Sequence, residues 1–274
     1  MLTQAQVEAY KRDGYHFPVD ILTPAETAAC RQKLETYEAS ANGPIKGNLR
    51  QKPHLLFTWL NDLIRHPKIL DAVADIHGPD LLCWSSSFFI KEPQNAGFVS
   101  WHQDSTYWGL SSPDVVTVWL ALTPANDING AMKFLPGSQH EQVAHTDTFD
   151  KNNLLSRGQE LAVTVNEEKS VLVELNPGQA SLHHVMLFHG SQPNRSTDRR
   201  IGYAIRYIPT HVRQIAGARD AATLVRGVDR YRNFDAEPAP AYDLSPDAVA
   251  AHAAIVGQQA AILYRGTGKG EFRA

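Results

Sequence analysis

The chain has 274 residues, 43% hydrophobic and 20% charged, with a formal net charge of −3. That length suits one large β-rich domain or two small ones with a sizeable core, and charges of both signs are interspersed, which excludes a polybasic surface for nucleic acid or membrane. No run approaches the roughly 18 apolar residues of a membrane span, the N-terminus Met1-Leu2-Thr3-Gln4 lacks a basic-then-apolar leader, and Cys30 and Cys83 are too few for a disulfide framework.

The expectation is one cytoplasmic domain over 1–274. Thr3-Gln4-Ala5-Gln6 is a capping-box pattern opening a short helix that stops near Gly14. Thr23-Pro24-Ala25-Glu26 opens a second, running to about Ala41. Residues 44–54, with Lys46, Asn48, Arg50, Lys52 and His54, read as a solvated basic loop in preference to a pocket wall. Pro67 opens a third helix with Ile69, Leu70, Val73 and Ile76 at helical spacing, ending at Gly78. This helical part, 1–79, gives way to a strand-rich core, 80–209. Strands are expected over 81–90, 98–104, 115–122, 131–135, 170–175, 178–184 and 201–208, with turn signals such as Asn129-Gly130 between them. The polar stretch 141–168 is too long for an ordinary connection and reads as a lid. Residues 210–274 form an extension with a proline-rich linker, 236–246. Its final helix, 246–263, should dock the stripe Val249, Ala253, Val256, Ala260 and Leu263 on the chain itself. Many short strands after N-terminal helices predict a mostly β jelly roll with flanking α-helices.

The chemistry centres on His102-Gln103-Asp104. In an extended strand His102 and Asp104 project to one side. A distant histidine would complete a two-histidine, one-carboxylate face with open positions, the arrangement of non-haem Fe(II) oxygenases. His189 is the candidate, with His183 and His184 competing. A second His-x-Asp, His145-Thr146-Asp147, lies in a polar run without alternation and is expected to be a solvated loop. Arg200, Gly202, Ala204 and Arg206 share one strand face. The small residues beside Arg200 would leave room for a bound molecule, whose carboxylate the guanidinium can grip through two parallel bonds.

His102-x-Asp104, His189-x-Ser191-x-x-Asn194 and Arg200, with Val118-Trp119-Leu120-Ala121-Leu122, Asn129-Gly130-Ala131-Met132 and Leu135-Pro136-Gly137-Ser138, resemble the phytanoyl-CoA dioxygenase-like family of Fe(II)/2-oxoglutarate oxygenases. The resemblance covers most of residues 1–235 and departs at Gln139, where the family usually has histidine. It implies a cupin-like double-stranded β-helix, iron on His102, Asp104 and His189, and 2-oxoglutarate held by Arg200 and Ser191 against Trp119. The implied reaction consumes O2, converts 2-oxoglutarate to succinate and carbon dioxide, and hydroxylates a substrate. Related halogenases carry a small residue in place of Asp104, so hydroxylation is expected over chlorination.

Similar ectoine hydroxylases set an aromatic ring against a cationic substrate where this chain has Trp108, with Tyr107 beside it. Lys91 and Arg206 could receive an anionic group. The expected substrate is a small zwitterion, amino-acid-like or of aminoethylphosphonate type. The alternatives are an acyl-thioester or natural-product intermediate, a Zn(II) hydrolase, and a non-catalytic cupin-like binding protein. No nucleic-acid or membrane partner is expected, and the oligomeric state is open, a homodimer included.

Overall fold

The computed structural model describes residues 1–270 and Phe272. Helix α1 (Gln4–Asp13) opens on the Thr3 capping box, with Gln6 as the reciprocal partner, and closes at Gly14, whose φ of 85° favours glycine. The chain turns directly into strand β1 (Tyr15–Asp20), whose short alternation Pro18 disguises in the sequence. Helix α2 (Pro24–Ser40) repeats the capping box with Thr23 and Glu26. Two 3-10 turns carry Gly47–Arg50 and Pro53–Leu55. A short helix that local pattern does not announce, α3 (Thr58–Leu63), precedes α4 (Pro67–His77), which buries Ile69, Leu70, Ala72 and Val73.

The strands follow: β2 (Leu81–Lys91), β3 (Val99–His102), β4 (Val116–Ala121), β5 (Met132–Phe134), β6 (His145–Asp147), β7 (Gln159–Leu161), β8 (Val171–Leu172), β9 (Gln179–His184), β10 (His189–Ser191), β11 (Arg200–Pro209), β12 (Ala221–Arg226) and β13 (Asp235–Ala236). Helix α5 (Pro246–Leu263) comes last. A seven-stranded sheet, β1-β9-β4-β11-β2-β12-β13, and a four-stranded sheet, β3-β10-β5-β8, form the jelly roll. All ten residues of β11 are buried because both its faces are covered. Ile201, Tyr203, Ile205 and Tyr207 join the core shared with Leu60, Ile69 and Val73 of the helices. Ala204 joins a second core on the other face, with Trp119, Met132 and Phe134. The alternation expected for Arg200, Gly202, Ala204 and Arg206 follows from this two-sided burial. No described helix is long and apolar enough to cross a membrane.

Three expectations are overturned. Residues 44–54 are no solvated loop, because Lys52 and His54 are fully buried. Lys52 Nζ lies 2.5 Å from Glu237 Oε1 and donates to Ala221 O at 2.7 Å. The His54 ring contacts Glu237 Oε2 at 3.2 Å and Ser86 Oγ at 2.6 Å. The basic charge is thus spent on an acid near the far end of the chain. The stretch 141–168 contains the hairpin β6–β7, so His145-Thr146-Asp147 is a strand, paired residue for residue with Gln159–Leu161. Helix α5 buries Ala248, His252, Val256, Gln259, Ala260 and Ile262, while Val249 is exposed. The helix docks on the chain itself and Val256 and Ala260 of the expected stripe are buried, but the face is rotated from the rest of it because polar residues anchor it: His252 Nε2 contacts Gln51 O at 2.8 Å, and Gln259 donates to Asp220 at 3.2 Å.

Candidate metal centre and its two cavities

Strand pairing brings the distant motifs together. His189 of β10 lies directly opposite His102 of β3, and the ring centroids are 4.0 Å apart. Asp104 Oδ1 lies 3.2 Å from His102 Nε2 and 3.9 Å from His189 Nε2. One ligand atom from each residue falls within 4.8 Å of the others, and all three residues are buried. Asp104 is aimed differently from the expectation. Strand β3 ends at His102, and Asp104 opens a 3-10 turn over Asp104–Tyr107. The turn holds because the Asp104 N–H donates to Val185 O at 2.9 Å, while the Gln103 side chain donates to Glu141 O and Met186 O.

The outer nitrogens set the tautomers. His102 Nδ1 faces Ser100 O at 2.9 Å and His189 O at 3.0 Å, and His189 Nδ1 faces Leu187 O at 2.9 Å. A carbonyl can only accept, so Nδ1 of each ring donates, which leaves Nε2 of each ring facing Asp104 as the atom a metal would take. Burial, aided by the neighbouring His102, pulls His189 down to about 4, so it is neutral at pH 7. Burial alone would raise the Asp104 carboxyl, but the His102 bond and the adjacent imidazoles hold it ionised. Two imidazoles offering Nε2 and one carboxylate fit a divalent transition metal.

The competitors fall away on geometry. His183 lines the same cavity, with its ring 4.9 Å from His189, but it is outside the ligand cluster and its Nδ1 has no partner. His184 Nδ1 accepts from the Met186 N–H at 3.1 Å. His145 Nε2 accepts from the Gln103 N–H at 2.9 Å.

An inner cavity holds the triad together with Trp119, Ser191, Arg200 and Arg206. Arg200 is 1% exposed; its Nη1 donates to Gly130 O and its Nε has no partner. Burial without a counter-ion pulls its pKa down to about 9. No carboxylate lies within 4 Å of it among the described residues. The room expected at Gly202 is taken by Trp119: a Cβ built there would lie 1.9 Å from the indole Cζ2. Gly202 is therefore what lets Trp119 stand beside Arg200, 5.1 Å from ring to guanidinium carbon. Gly202→Ala is expected to displace the indole, costing about 1–3 kcal/mol of stability. Urea denaturation would read that loss, and 2-oxoglutarate affinity should weaken with it.

Lys91, placed with the substrate residues on sequence, lies instead beside Arg200, its partner in the β2–β11 register. It is 2% exposed and donates to Ser191 Oγ at 2.7 Å, to Gly130 O at 3.4 Å and to Gln192 O. Asn194 Nδ2 bonds the Lys91 and Asp198 carbonyls, fixing the turn before β11.

An outer cavity adjoins the inner one through Phe89, Asp104 and Arg206. Trp84, Trp108 and Phe88 line it, with Leu154 and Leu155 before β7 and Ile262 and Leu263 of α5. Arg206 lies 5.5 Å from the Trp108 ring and 5.7 Å from Phe89. Trp108 also meets Trp84 at 4.9 Å. Tyr107 has Arg157 3.8 Å above its ring and donates to Asp147 at 2.7 Å. Tyr107 and Trp108 both line the outer cavity, and the cations near their rings in this structure are the protein's own Arg157 and Arg206. Trp84, Phe89 and Asp220 have no signal of their own in the sequence, whereas Arg50 belongs to the basic connection for which a pocket wall was the alternative reading. The signal available was Ser85-Ser86-Ser87, a polar run in an apolar strand, whose Ser87 accepts from Arg206 at 2.5 Å.

The family model described as phytanoyl-CoA dioxygenase matches residues 2–202. A curated relative, the probable alpha-ketoglutarate-dependent hypophosphite dioxygenase of Stutzerimonas stutzeri, is 33% identical over 180 residues, 62% of this chain and 62% of that protein. The ectoine dioxygenase of Nocardia farcinica (strain IFM 10152) is 24% identical over 215 residues, 69% of this chain and 72% of that protein. The chain therefore matches under two thirds of the first relative's length, 62%. A solved structure described as the non-heme monooxygenase ThoJ, apo, superposes with a TM-score of 0.82 at 36% identity, covering 93% of this chain and 95% of that one.

Proposed function

The chain belongs to the phytanoyl-CoA dioxygenase family of Fe(II)/2-oxoglutarate oxygenases, and on that premise we propose that it hydroxylates an aliphatic C–H of a small polar, zwitterionic molecule. The observation that carries this reading is the buried His102, Asp104, His189 cluster sharing a cavity with Arg200, a buried guanidinium without a carboxylate. Fe(II) would take the three ligand atoms, and 2-oxoglutarate would set its far carboxylate on Arg200 and Ser191 with Trp119 as wall. Bound there, the pair would supply the oxidising power, with O2 consumed and succinate and carbon dioxide released. The protein's part is positioning and dryness. Carbonyls fix both imidazoles, Asp104 keeps its charge beside them, and the aromatic walls of the outer cavity keep water from the reacting carbon.

The mixed polarity of the outer cavity supports a zwitterion, since Arg50 and Arg206 face it together with Asp220. A bulkier natural-product or acyl intermediate is the second reading, favoured by the apolar rim of Leu154, Leu155, Ile262 and Leu263. A zinc hydrolase would give Arg200 and Ser191 no task. The test is anaerobic addition of Fe(II) and 2-oxoglutarate to metal-free protein. The weak visible charge-transfer band of the chelated cosubstrate should form in wild type and fail in His189→Ala. Metal-loaded wild type without a band would return the site to the zinc or non-catalytic readings.

A further inference from the structure

We propose that Arg206 seats an oxyanion of the substrate, a carboxylate, phosphonate or sulfonate, where the outer cavity meets the metal cluster. This rests on the oxygenase reading above and assigns the end of the substrate that is recognised first.

The argument starts from an unbalanced charge. Arg206 is 6% exposed, its Nη1 donates to Ser87 Oγ, and its Nε has no partner. No carboxylate lies within 4 Å of its guanidinium among the described residues, whereas Arg157, Arg199 and Arg226 each pair with an acid. A buried cation left so is strongly disfavoured unless something compensates it. Asp104 offers attraction from a distance, and the faces of Trp108 and Phe89 offer part of the rest. Burial still lowers the Arg206 pKa. A guanidinium has five N–H groups in a planar fork, so most of its donor capacity is unspent, in a residue that lines both cavities.

Its position gives that capacity a direction. Arg200 and Arg206 stand on the same face of β11, and the residues between them on that face are Gly202 and Ala204. Arg206 lies opposite Thr117, whose hydroxyl is 3.5 Å from Asp104 Oδ2. One barrel strand thus carries two guanidiniums with no carboxylate within 4 Å among the described residues. Arg200 lies beside the Lys91–Ser191 pair, and Arg206 opens to the outer cavity. The first suits the cosubstrate's carboxylate and the second suits an oxyanion arriving from outside, held in two parallel charge-assisted bonds. A neutral or purely cationic substrate would leave Arg206 unpaired.

The test uses the protein loaded anaerobically with Fe(II) and 2-oxoglutarate. It is titrated with 2-aminoethylphosphonate, 2-aminoethanesulfonate, β-alanine and, as the control without an oxyanion, ethanolamine, while shifts of the charge-transfer band are followed. At least one oxyanion should bind about tenfold or more tighter than ethanolamine, and Arg206→Gln should abolish that preference. Arg206→Lys, which keeps the charge, should restore part of it, and both variants should bind 2-oxoglutarate within about twofold of wild type. The oxyanion that binds best distinguishes a tetrahedral head from a planar one. Equal binding of ethanolamine, no response to any oxyanion, or undiminished preference in Arg206→Gln would overturn the assignment of Arg206 alone. Absence of the 2-oxoglutarate band would remove the oxygenase reading and this inference with it.

Discussion

Glu237→Ala is expected to destabilise the fold by about 3–5 kcal/mol, because it leaves Lys52 as an uncompensated buried charge. The Lys52 and Glu237 side chains are both fully buried, and Glu237 also accepts from Thr223 Oγ1 at 2.6 Å. Burial by itself would raise the Glu237 carboxyl, but the Lys52 charge and the His54 and Lys52 hydrogen bonds bring it down to about 2. Burial lowers the His54 pKa, with Lys52 adding to that, despite Glu237. Both folded-state values lie below the ordinary 4.5 and 6.5. Their contributions are therefore present above those values and lost as pH falls, first through His54 and then through Glu237. Lys52 works in the opposite direction: burial opposes its charge but Glu237 outweighs burial, so its contribution is lost only as pH rises above 10.5. Urea denaturation from pH 8 to pH 3 should show wild-type stability declining from near pH 6.5, with the decline below 4.5, where Glu237 itself titrates, shallower in Glu237→Ala. A Lys52→Met, Glu237→Leu double variant should recover most of the loss at pH 7. The clamp also has a functional reach, since Arg50 and Gln51, next to Lys52, line the outer cavity. Damage from Glu237→Ala should fall on substrate affinity more than on 2-oxoglutarate affinity.

What was legible in the sequence was local, or local at both ends of a long connection. The capping boxes at Thr3 and Thr23 are complete within four residues, and both hold. The metal cluster was legible because each half is a short motif, His102-x-Asp104 and His189-x-Ser191, which the β3–β10 pairing joins. Strand β1 was missed because its existence depends on pairing with β9, 159 or more residues away, and Pro18 disguises the short alternation of Tyr15, Phe17 and Val19. The buried face of α5 was misplaced because His252 and Gln259, polar residues with remote partners, define it. The same limit applied in the site. That Gly202 makes space for Trp119, and that Lys91 serves Ser191, are facts about neighbours across a sheet. The outer cavity is assembled from residues near 50, 85, 155, 206 and 262, and no window of sequence contains it.

Arg200→Met should raise the 2-oxoglutarate dissociation constant about 100-fold or more, since it removes two charge-assisted bonds of about 1.5–3 kcal/mol each. The anaerobic band then forms only at very high cosubstrate, while Fe(II) binding, measured separately, stays near wild type. Lys91 is a positioning residue in the same event. Its three acceptors, Ser191 Oγ, Gly130 O and Gln192 O, call for three N–H groups, which only the ammonium supplies. Burial and the charge of Arg200 bring Lys91 down to about 6, so the unliganded pocket holds that proton weakly. A dianion arriving beside it strengthens the hold. Because Ser191 Oγ accepts from Lys91, its own proton is left to donate to the arriving carboxylate. Lys91→Met should therefore weaken 2-oxoglutarate binding about tenfold. Ser191→Ala should add little to Lys91→Met, because both remove the same oriented donor. The sign with pH follows from the ammonium: wild-type affinity should fall as pH rises from 6 to 8, and Lys91→Met should flatten that dependence. Full additivity of the two substitutions, or an unchanged pH slope in Lys91→Met, would reduce Lys91 to a bond within the turn before β11.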